Sequence, residues 1–255
     1  MKQGKHIRII PRLDIKGPNV VKGVFTEGLR IVGDPKKLAF KYYGDGADEV
    51  LLMDIVASLY QRSFDFGLLK SITDQIFIPI TVGGGIRSIN DINNALRAGA
   101  DKVAINTFAI RNPGFLKDAA RKFGSQCIVL SIEAKRKNDG TWEAYTDGGR
   151  EHTGINAVDW IKKALKFGIG EIVITSIDRD GSRHGYDIDL IQAVTSFVNV
   201  PVVAHGGAST EESVAEVIEK TGTDAVALAT PLHYKDFTIK DLKRFLHKNN
   251  FNVRI

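Results

Sequence analysis

The sequence contains a single cysteine, Cys127, among 255 residues. One cysteine forms no internal disulfide and builds no thiolate metal cluster. The six histidines are scattered without the paired spacing of a metal site. We therefore expect no metal and no other cofactor, and a reducing cytoplasm is the compartment that suits this composition.

Long apolar runs are also missing. The N-terminal segment is basic, but the apolar stretch after it stops at Ile10, before Pro11 and Arg12, which is too short for the core of a signal peptide. No run elsewhere approaches the ~20 residues that a membrane span needs. We expect no association with a membrane.

A large excess of one charge is absent as well. The 35 Lys and Arg residues against 30 Asp and Glu residues leave a formal net charge of +5. This balance is compatible with a small anionic substrate. Because the sequence has no basic stripe with interleaved aromatic residues and no recognition motif, nucleic-acid binding is not expected.

Short β-branched runs recur along the whole chain, and stretches with apolar residues at helical spacing lie between them. Strict alternation of strands and helices implies a parallel sheet. Eight such units in about 250 residues predict a closed (β/α)8 barrel, the TIM barrel, rather than an open sheet. The predicted strands cover residues 6–15, 49–55, 78–84, 102–107, 127–135, 171–177, 200–206 and 225–230, with eight helices between and after them.

An internal repeat supports the barrel. The two copies place Gly84 in register with Gly206, and Thr107 in register with Thr230, at an offset close to half the chain. We therefore predict one domain, residues 1–255, built from two duplicated (βα)4 half-barrels, about 1–124 and 125–255. The repeated segments are Ile78-Pro-Ile-Thr-Val-Gly-Gly-Gly-Ile with Gly99-Ala-Asp-Lys-Val-Ala-Ile-Asn-Thr, and Val200-Pro-Val-Val-Ala-His-Gly-Gly-Ala with Gly222-Thr-Asp-Ala-Val-Ala-Leu-Ala-Thr.

Glycine-rich turns follow equivalent strands in the two halves. Such turns expose backbone N–H groups, which bind anions such as phosphate together with the N-terminus of a following helix. The alternative is that the glycines only make tight connections. The doubled pattern favours two anion sites, and hence a substrate with a phosphate at each end. The first site comprises Gly84, Asn106 and Thr107, and the second comprises Gly181, Gly206, Gly207, Ala229 and Thr230.

Two acidic residues, Asp14 and Glu133, end equivalent strands in the two halves. Barrel enzymes carry their catalytic residues at the carboxyl ends of strands. Capping or a salt bridge would account for one isolated acid. Symmetric placement of two acids on opposite sides of the barrel mouth favours a general acid and a general base.

A set of charges of alternating sign stands at the opposite ends of four strands. Charges at the N-terminal face of a barrel normally serve stability, so a solvated ring is the simplest interpretation. Only passage of a molecule through that face would give them another role. The four residues are Arg8, Glu49, Lys102 and Glu171.

Specific motifs lie along essentially the whole chain. They are Arg8-Ile-Ile-Pro-Arg-Leu-Asp-Ile-Lys, Val20-Val-Lys-Gly, Met53-Asp-Ile-Val-Ala-Ser, Thr81-Val-Gly-Gly-Gly-Ile, Asp101-Lys-Val-Ala-Ile-Asn-Thr, Phe123-Gly-Ser-Gln, Thr175-Ser-Ile-Asp-Arg-Asp-Gly and Gly206-Gly-Ala. Together these motifs are highly specific, and they resemble those of the HisF family, the cyclase subunits of imidazole glycerol phosphate synthase.

The resemblance implies a heterodimer with a HisH-type glutaminase, whose ammonia passes through the barrel. In that family ammonia converts a bis-phosphorylated ribulosyl formimino aminoimidazole carboxamide ribotide to imidazole glycerol phosphate and an aminoimidazole carboxamide ribotide. By resemblance, Asp14 and Glu133 are the catalytic acids, and Lys22 and Asp180 join the substrate site. The four charges of the lower face become the gate for ammonia.

Several residues depart from the family pattern near the substrate. Glu133 replaces an aspartate and is one methylene longer, and a shift of ~1 Å in a reacting group can cost ~100-fold in rate. Arg12 replaces a small residue or cysteine beside Asp14, where it would lower the pKa of that acid. His205, next to the second anion site, stands where the family usually has a small residue. The loop at 24–33, after the first predicted strand, also differs from the family pattern.

These departures leave two other functions open. One is a HisF-like paralogue that delivers ammonia for acetamidino modification of a nucleotide sugar in surface-polysaccharide (lipopolysaccharide) synthesis. The other is a non-catalytic scaffold that docks the glutaminase and passes ammonia on.

Overall fold

One mixed sheet contains all the strands of the computed structural model, which describes residues 5–255. The expectation about the N-terminal segment rests partly on residues 1–4, which lie outside the described residues. The strands are β1 (Arg8–Lys16), β2 (Asn19–Val24), β3 (Glu27–Gly33), β4 (Val50–Asp54), β5 (Ile80–Gly83), β6 (Lys102–Ile105), β7 (Ile128–Arg136), β8 (Trp142–Thr146), β9 (Glu151–Asn156), β10 (Glu171–Ser176), β11 (Val202–His205) and β12 (Ala225–Leu228).

Eight of these strands run parallel and close into a barrel. β1 pairs with both β12 and β4, and β10 pairs with both β7 and β11, so the ladder has no open end. The barrel strands are β1, β4, β5, β6, β7, β10, β11 and β12. Each barrel strand overlaps a strand that was predicted from the sequence. The (β/α)8 barrel prediction is therefore confirmed.

Helices follow the barrel strands and cover the outside of the sheet. They are α1 (Pro35–Gly44), α2 (Phe66–Thr73), α3 (Ile89–Arg97), α4 (Thr107–Arg111), α5 (Gly114–Phe123), α6 (Ala157–Leu165), α7 (Ile188–Thr195), α8 (Glu211–Thr221), α9 (Thr230–His233) and α10 (Ile239–Lys248), with a 3-10 turn at Ser125–Cys127. The prediction of eight helices was therefore too low for residues 5–255. The two additional helices, α4 and α9, are short and follow β6 and β12, the last barrel strand of each half.

The structure also contains two antiparallel hairpins that the sequence pattern did not predict. β1 continues past Asp14 and pairs with β2, which pairs with β3. β7 continues past Glu133 in the same way and pairs with β8, which pairs with β9. Neither acid therefore ends its strand, and the segment at 24–33, treated as a loop from the sequence, forms the turn and return strand of the first hairpin.

Side-chain alternation along β1 shows how the barrel is filled. Ile9 and Leu13 belong to the large core between sheet and helices, whereas Ile10 belongs to a second cluster inside the barrel. Because successive side chains of a strand point to opposite faces, Arg8, Arg12 and Asp14 share the inward face of Ile10. Both faces of the barrel strands are buried, so their sequences are nearly continuous apolar runs.

No helix within residues 5–255 combines the length and apolar character that a membrane crossing requires.

Candidate active site

Two clefts open at the carboxyl ends of the barrel strands, one in each half. Gly84 and Gly206 occupy equivalent positions in them and have the same positive φ of 95°. The first cleft is lined by Gly84, Gly85, Asn106, Thr107 and Glu133, among others. The second is lined by Asp180, Gly181, His205, Gly206, Gly207, Ala229 and Thr230, among others. The structure therefore brings together the residues of each predicted anion site.

A side chain at Gly84 would disrupt the first cleft. A Cβ atom there would lie 2.1 Å from the carbonyl oxygen of Asp54, in a backbone conformation that L-residues rarely adopt. We expect Gly84→Ala to lower the free energy of unfolding by about 1–3 kcal/mol in chemical denaturation. Gly46→Ala is the matched control, because Gly46 has a φ of 88° but open space around it. Equal losses in the two variants would contradict the close approach at Gly84.

Asp14 lies buried in direct contact with two cations. Arg12 Nε donates to Asp14 Oδ1 at 2.7 Å, and Lys22 Nζ lies 3.5 Å from Asp14 Oδ2. Burial alone would raise the pKa of Asp14, but the charges of Arg12 and Lys22 outweigh it and hold this pKa well below its usual range. The predicted effect of Arg12 on Asp14 agrees with this direction.

Lys22 and Asp180 form a second buried contact beside Asp14. Lys22 Nζ donates to both carboxylate oxygens of Asp180 at 2.8 Å. Burial would lower the pKa of Lys22, but Asp180 and Asp14 outweigh it and raise that pKa. β2 carries Lys22 back over the mouth, so the hairpin that sequence analysis missed is the element that positions this side chain.

His205 connects this pair to Arg12. Its Nδ1 lies 3.2 Å from Arg12 Nη1 and 3.1 Å from Thr175 Oγ1, and its Nε2 lies 3.8 Å from Asp180 Oδ1. Burial, and then the charges of Arg12 and Lys22, lower the pKa of His205 well below its usual value. At neutral pH the imidazole is therefore uncharged, with Nδ1 placed to accept from Arg12.

Glu133 has no cation among its hydrogen-bond partners in the described chain. Asn106 Nδ2 donates to Glu133 Oε2 at 2.8 Å, and the Gly149 N–H donates to the same carboxyl group. Burial raises the pKa of Glu133 to about 7, against the opposing effects of Arg12 and of these two hydrogen bonds. The two carboxyl groups therefore differ in protonation near neutral pH, although they occupy equivalent positions in the repeat.

At the opposite end of the strands, the four charged side chains form a closed ring. Arg8 contacts Glu49 at 2.9 Å and Glu171 at 2.5 Å. Lys102 contacts the same two glutamates at 2.8 Å and 2.5 Å. Each cation therefore bridges both acids. Glu49 and Glu171 are buried, so the ring is part of the barrel end and is not a loose set of solvated charges.

Thr175 and Gly149 are site residues that sequence reasoning missed. Thr175 lies on the inward face of β10, four residues after Glu171. Because alternate residues of a strand share one face, the position of Glu171 in the sequence would have identified Thr175 as a neighbour on the same face. Gly149 lies in the turn between β8 and β9 and reaches Glu133 only through the second hairpin. Within the described chain, no group of three His, Cys, Asp or Glu side chains comes together as a metal site requires.

The closed barrel, with buried acids between two glycine-lined clefts at its carboxyl face, defines a (β/α)8-barrel protein with a polar small-molecule site. Residues 8–238 match the family described as histidine biosynthesis protein. The chain is 57% identical over 202 residues to a protein of Legionella pneumophila named imidazole glycerol phosphate synthase subunit HisF, covering 79% of this chain and 95% of that protein.

Two further relatives with the same name cover nearly the whole chain. The protein of Streptococcus mutans is 45% identical over 247 residues, which are 97% of this chain and 98% of the relative. The protein of Streptococcus sanguinis is 43% identical over 248 residues, with the same two coverages. The chain belongs to the HisF family of histidine biosynthesis proteins.

Proposed function

We propose that this protein is the cyclase subunit of an imidazole glycerol phosphate synthase. In this function it uses ammonia to convert the bis-phosphorylated ribulosyl formimino aminoimidazole carboxamide ribotide to imidazole glycerol phosphate and an aminoimidazole carboxamide ribotide. The observation that carries the proposal is the arrangement of Asp14 and Glu133 between two matching glycine-lined clefts. The names of the relatives support the same reaction.

The two clefts fit the two phosphates of this substrate. In each cleft a positive-φ glycine turn lies beside the N-terminus of a short helix, α4 or α9. Within residues 5–255, neither helix has a side-chain N-cap, whereas Ser88 caps α3 and Thr210 caps α8. Backbone N–H groups at these turns are therefore available to an anionic ligand. We assign the clefts as the two phosphate sites.

We propose that ammonia passes through the barrel interior, from the ring of four charges to the carboxyl groups. The inward face above the ring is apolar and includes Ile10, Val129, Val173 and Val203. A neutral ammonia molecule crosses such a layer more readily than ammonium, because burying an unpaired charge costs far more than burying a polar group. We propose that Arg8, Glu49, Lys102 and Glu171 form the gate of this route.

The ring end is also the face on which we place a HisH-type glutaminase. Phe77 precedes β5 at this end, with 81% of its surface exposed, and its ring contacts Tyr43 edge to face. We expect Phe77→Ser to weaken glutaminase binding about tenfold or more, measured by titration calorimetry, because aromatic anchors dominate interfaces. Phe40→Ser on α1, 56% exposed, is the control. Equal effects of the two variants would place the glutaminase elsewhere.

Turnover without the glutaminase tests the proposed reaction. The purified protein is supplied with the bis-phosphorylated ribotide and saturating ammonium salt at alkaline pH, and both products are followed. Formation of imidazole glycerol phosphate is the expected result. If nothing forms while the protein still stimulates a HisH-type glutaminase, the cyclase proposal fails, and delivery of ammonia to another acceptor takes its place.

We propose the cytoplasm as the site of this reaction. The single cysteine, Cys127, has no disulfide partner in the chain. A small phosphorylated substrate and a glutaminase partner also suit a reducing cellular interior.

A further inference from the structure

The buried charges at the barrel mouth do not balance. Two buried cations, Arg12 and Lys22, face three buried carboxyl groups, those of Asp14, Asp180 and Glu133. His205 adds no charge near neutral pH, because burial and the neighbouring cations lower its pKa. Neutrality therefore requires one of the three carboxyl groups to carry a proton, since an uncompensated buried charge is costly.

Contacts decide which carboxyl group remains without a cation. Arg12 Nε contacts Asp14 at 2.7 Å, and Lys22 Nζ contacts Asp180 at 2.8 Å. Glu133 instead accepts from the uncharged amide of Asn106. The geometry thus pairs both aspartates and leaves Glu133 as the unpaired acid.

Arg12 is held in this position from three strands. It lies on β1, and its Nη1 contacts Thr175 on β10 at 3.1 Å and His205 on β11 at 3.2 Å. Both of these partners are uncharged, so the guanidinium charge is directed to Asp14. Because Arg12 is buried and anchored on the two neighbouring side chains, it cannot turn away from Asp14 without losing these contacts.

The other charged groups near the cavity have partners of their own. The guanidinium group of Arg150, in the turn between β8 and β9, donates to the backbone carbonyl oxygens of Ile55, Asp147 and Gly148 rather than to a carboxyl group. Asp54 pairs with Arg62, and Asp147 pairs with Arg111. Burial lowers the pKa of His233, behind β1, to about 4. The titratable or charged groups that face Asp14 and Glu133 are Arg12 on β1, Lys22 on β2, Tyr145 opposite Glu133 on β8, Asp180 after β10 and His205 on β11.

We propose that Arg12 is a positioning residue that keeps Asp14 ionised and leaves Glu133 as the one carboxyl group of the pair that exchanges a proton near neutral pH. The catalytic meaning of this inference rests on the proposed function, but the protonation states themselves do not. When ammonia adds to the carbonyl carbon of the ribulosyl group, the carbon–nitrogen bond forms and the carbonyl π bond breaks. Glu133 gives its proton to the carbonyl oxygen and takes one from the nitrogen, so it returns to its starting state.

Infrared difference spectroscopy on the whole protein, without substrate, tests the protonation states. Separate samples carry ¹³C-labelled side-chain carboxyl groups in Asp or in Glu, and the protonated-carboxyl band is followed from pH 5 to pH 9. We expect one buried band that responds to the Glu label, disappears with a midpoint of about pH 7 and is missing in Glu133→Gln. A band at these pH values that responds to the Asp label would overturn the inference, as would persistence of the Glu band in Glu133→Gln.

Substitutions of Arg12 test its role in the same measurement. We expect Arg12→Met to add a protonated Asp signal at about pH 5, where an ordinary aspartate is ionised, because Asp14 then keeps only the longer 3.5 Å contact with Lys22. Arg12→Lys retains the charge and should show no such signal. An unchanged spectrum in folded Arg12→Met, or an Asp signal in Arg12→Lys, would refute the role of Arg12. Absence of cyclase turnover would refute the proposed function and leave this spectroscopic result unaffected.

Discussion

Replacing Glu133 with Gln should lower kcat for the ammonium-dependent reaction by about 10²- to 10⁴-fold, the usual contribution of a general acid or base. The amide keeps the size of the side chain and its place beside Asn106, but it cannot exchange a proton. The expected change in KM for the ribotide is small, because the two glycine-lined clefts are untouched. Steady-state kinetics with saturating ammonium salt measures both constants.

Stability measured as a function of pH distinguishes a loss of proton transfer in Glu133→Gln from a loss of folded protein. Glu133 has a folded-state pKa of about 7, above the ordinary value of 4.5, so the folded state binds the proton more tightly. Stability contributed by this group is present below about pH 4.5 and is lost as pH rises towards 7. Glu133→Gln should remove this loss and be at least as stable as the parent protein above pH 7. A variant that retains most of the parent kcat would show that Glu133 is not the proton carrier.

Replacing Lys22 with Met should lower the free energy of unfolding by about 3–5 kcal/mol, because the change leaves Asp180 as an uncompensated buried charge. Lys22 is 4% exposed and holds both oxygens of Asp180 at 2.8 Å. The corresponding fall in Tm is roughly 6–20 °C for a protein of this size class. Chemical denaturation and calorimetry at neutral pH measure the two quantities.

A double variant provides the control for Lys22. Adding Asp180→Asn to Lys22→Met removes the unpaired charge, so we expect it to recover most of the lost stability. Lys22→Arg retains the charge and should cost less stability than Lys22→Met. If Lys22→Met unfolds at the same denaturant concentration as the parent protein, the buried contact with Asp180 does not form.

Much of the fold was predictable from the sequence because its determinants are local or periodic. Strands of a buried parallel sheet have apolar residues on both faces, and β4 and β10 contain the short apolar runs Val50-Leu-Leu-Met and Ile172-Val-Ile. The repeat then located Gly84 and Gly206, whose positive φ follows from a turn that a side chain would obstruct. The two hairpins escaped prediction, because polar and half-exposed strands such as β9 lack this signal.

The sequence by itself determined the number of barrel strands, the two-fold repeat and the fact that Arg8, Arg12 and Asp14 share one face of β1, and the structure showed that this face is the inward one. These features follow from patterns of period two and from spacing along the chain. The tertiary structure alone decided how charges meet, because the partners are far apart in sequence. Arg12 meets Thr175, and Lys22 meets Asp180, only when the barrel closes and the first hairpin folds back. Two acids that are equivalent in the repeat thereby acquire different protonation states, since one gains a cation and the other does not.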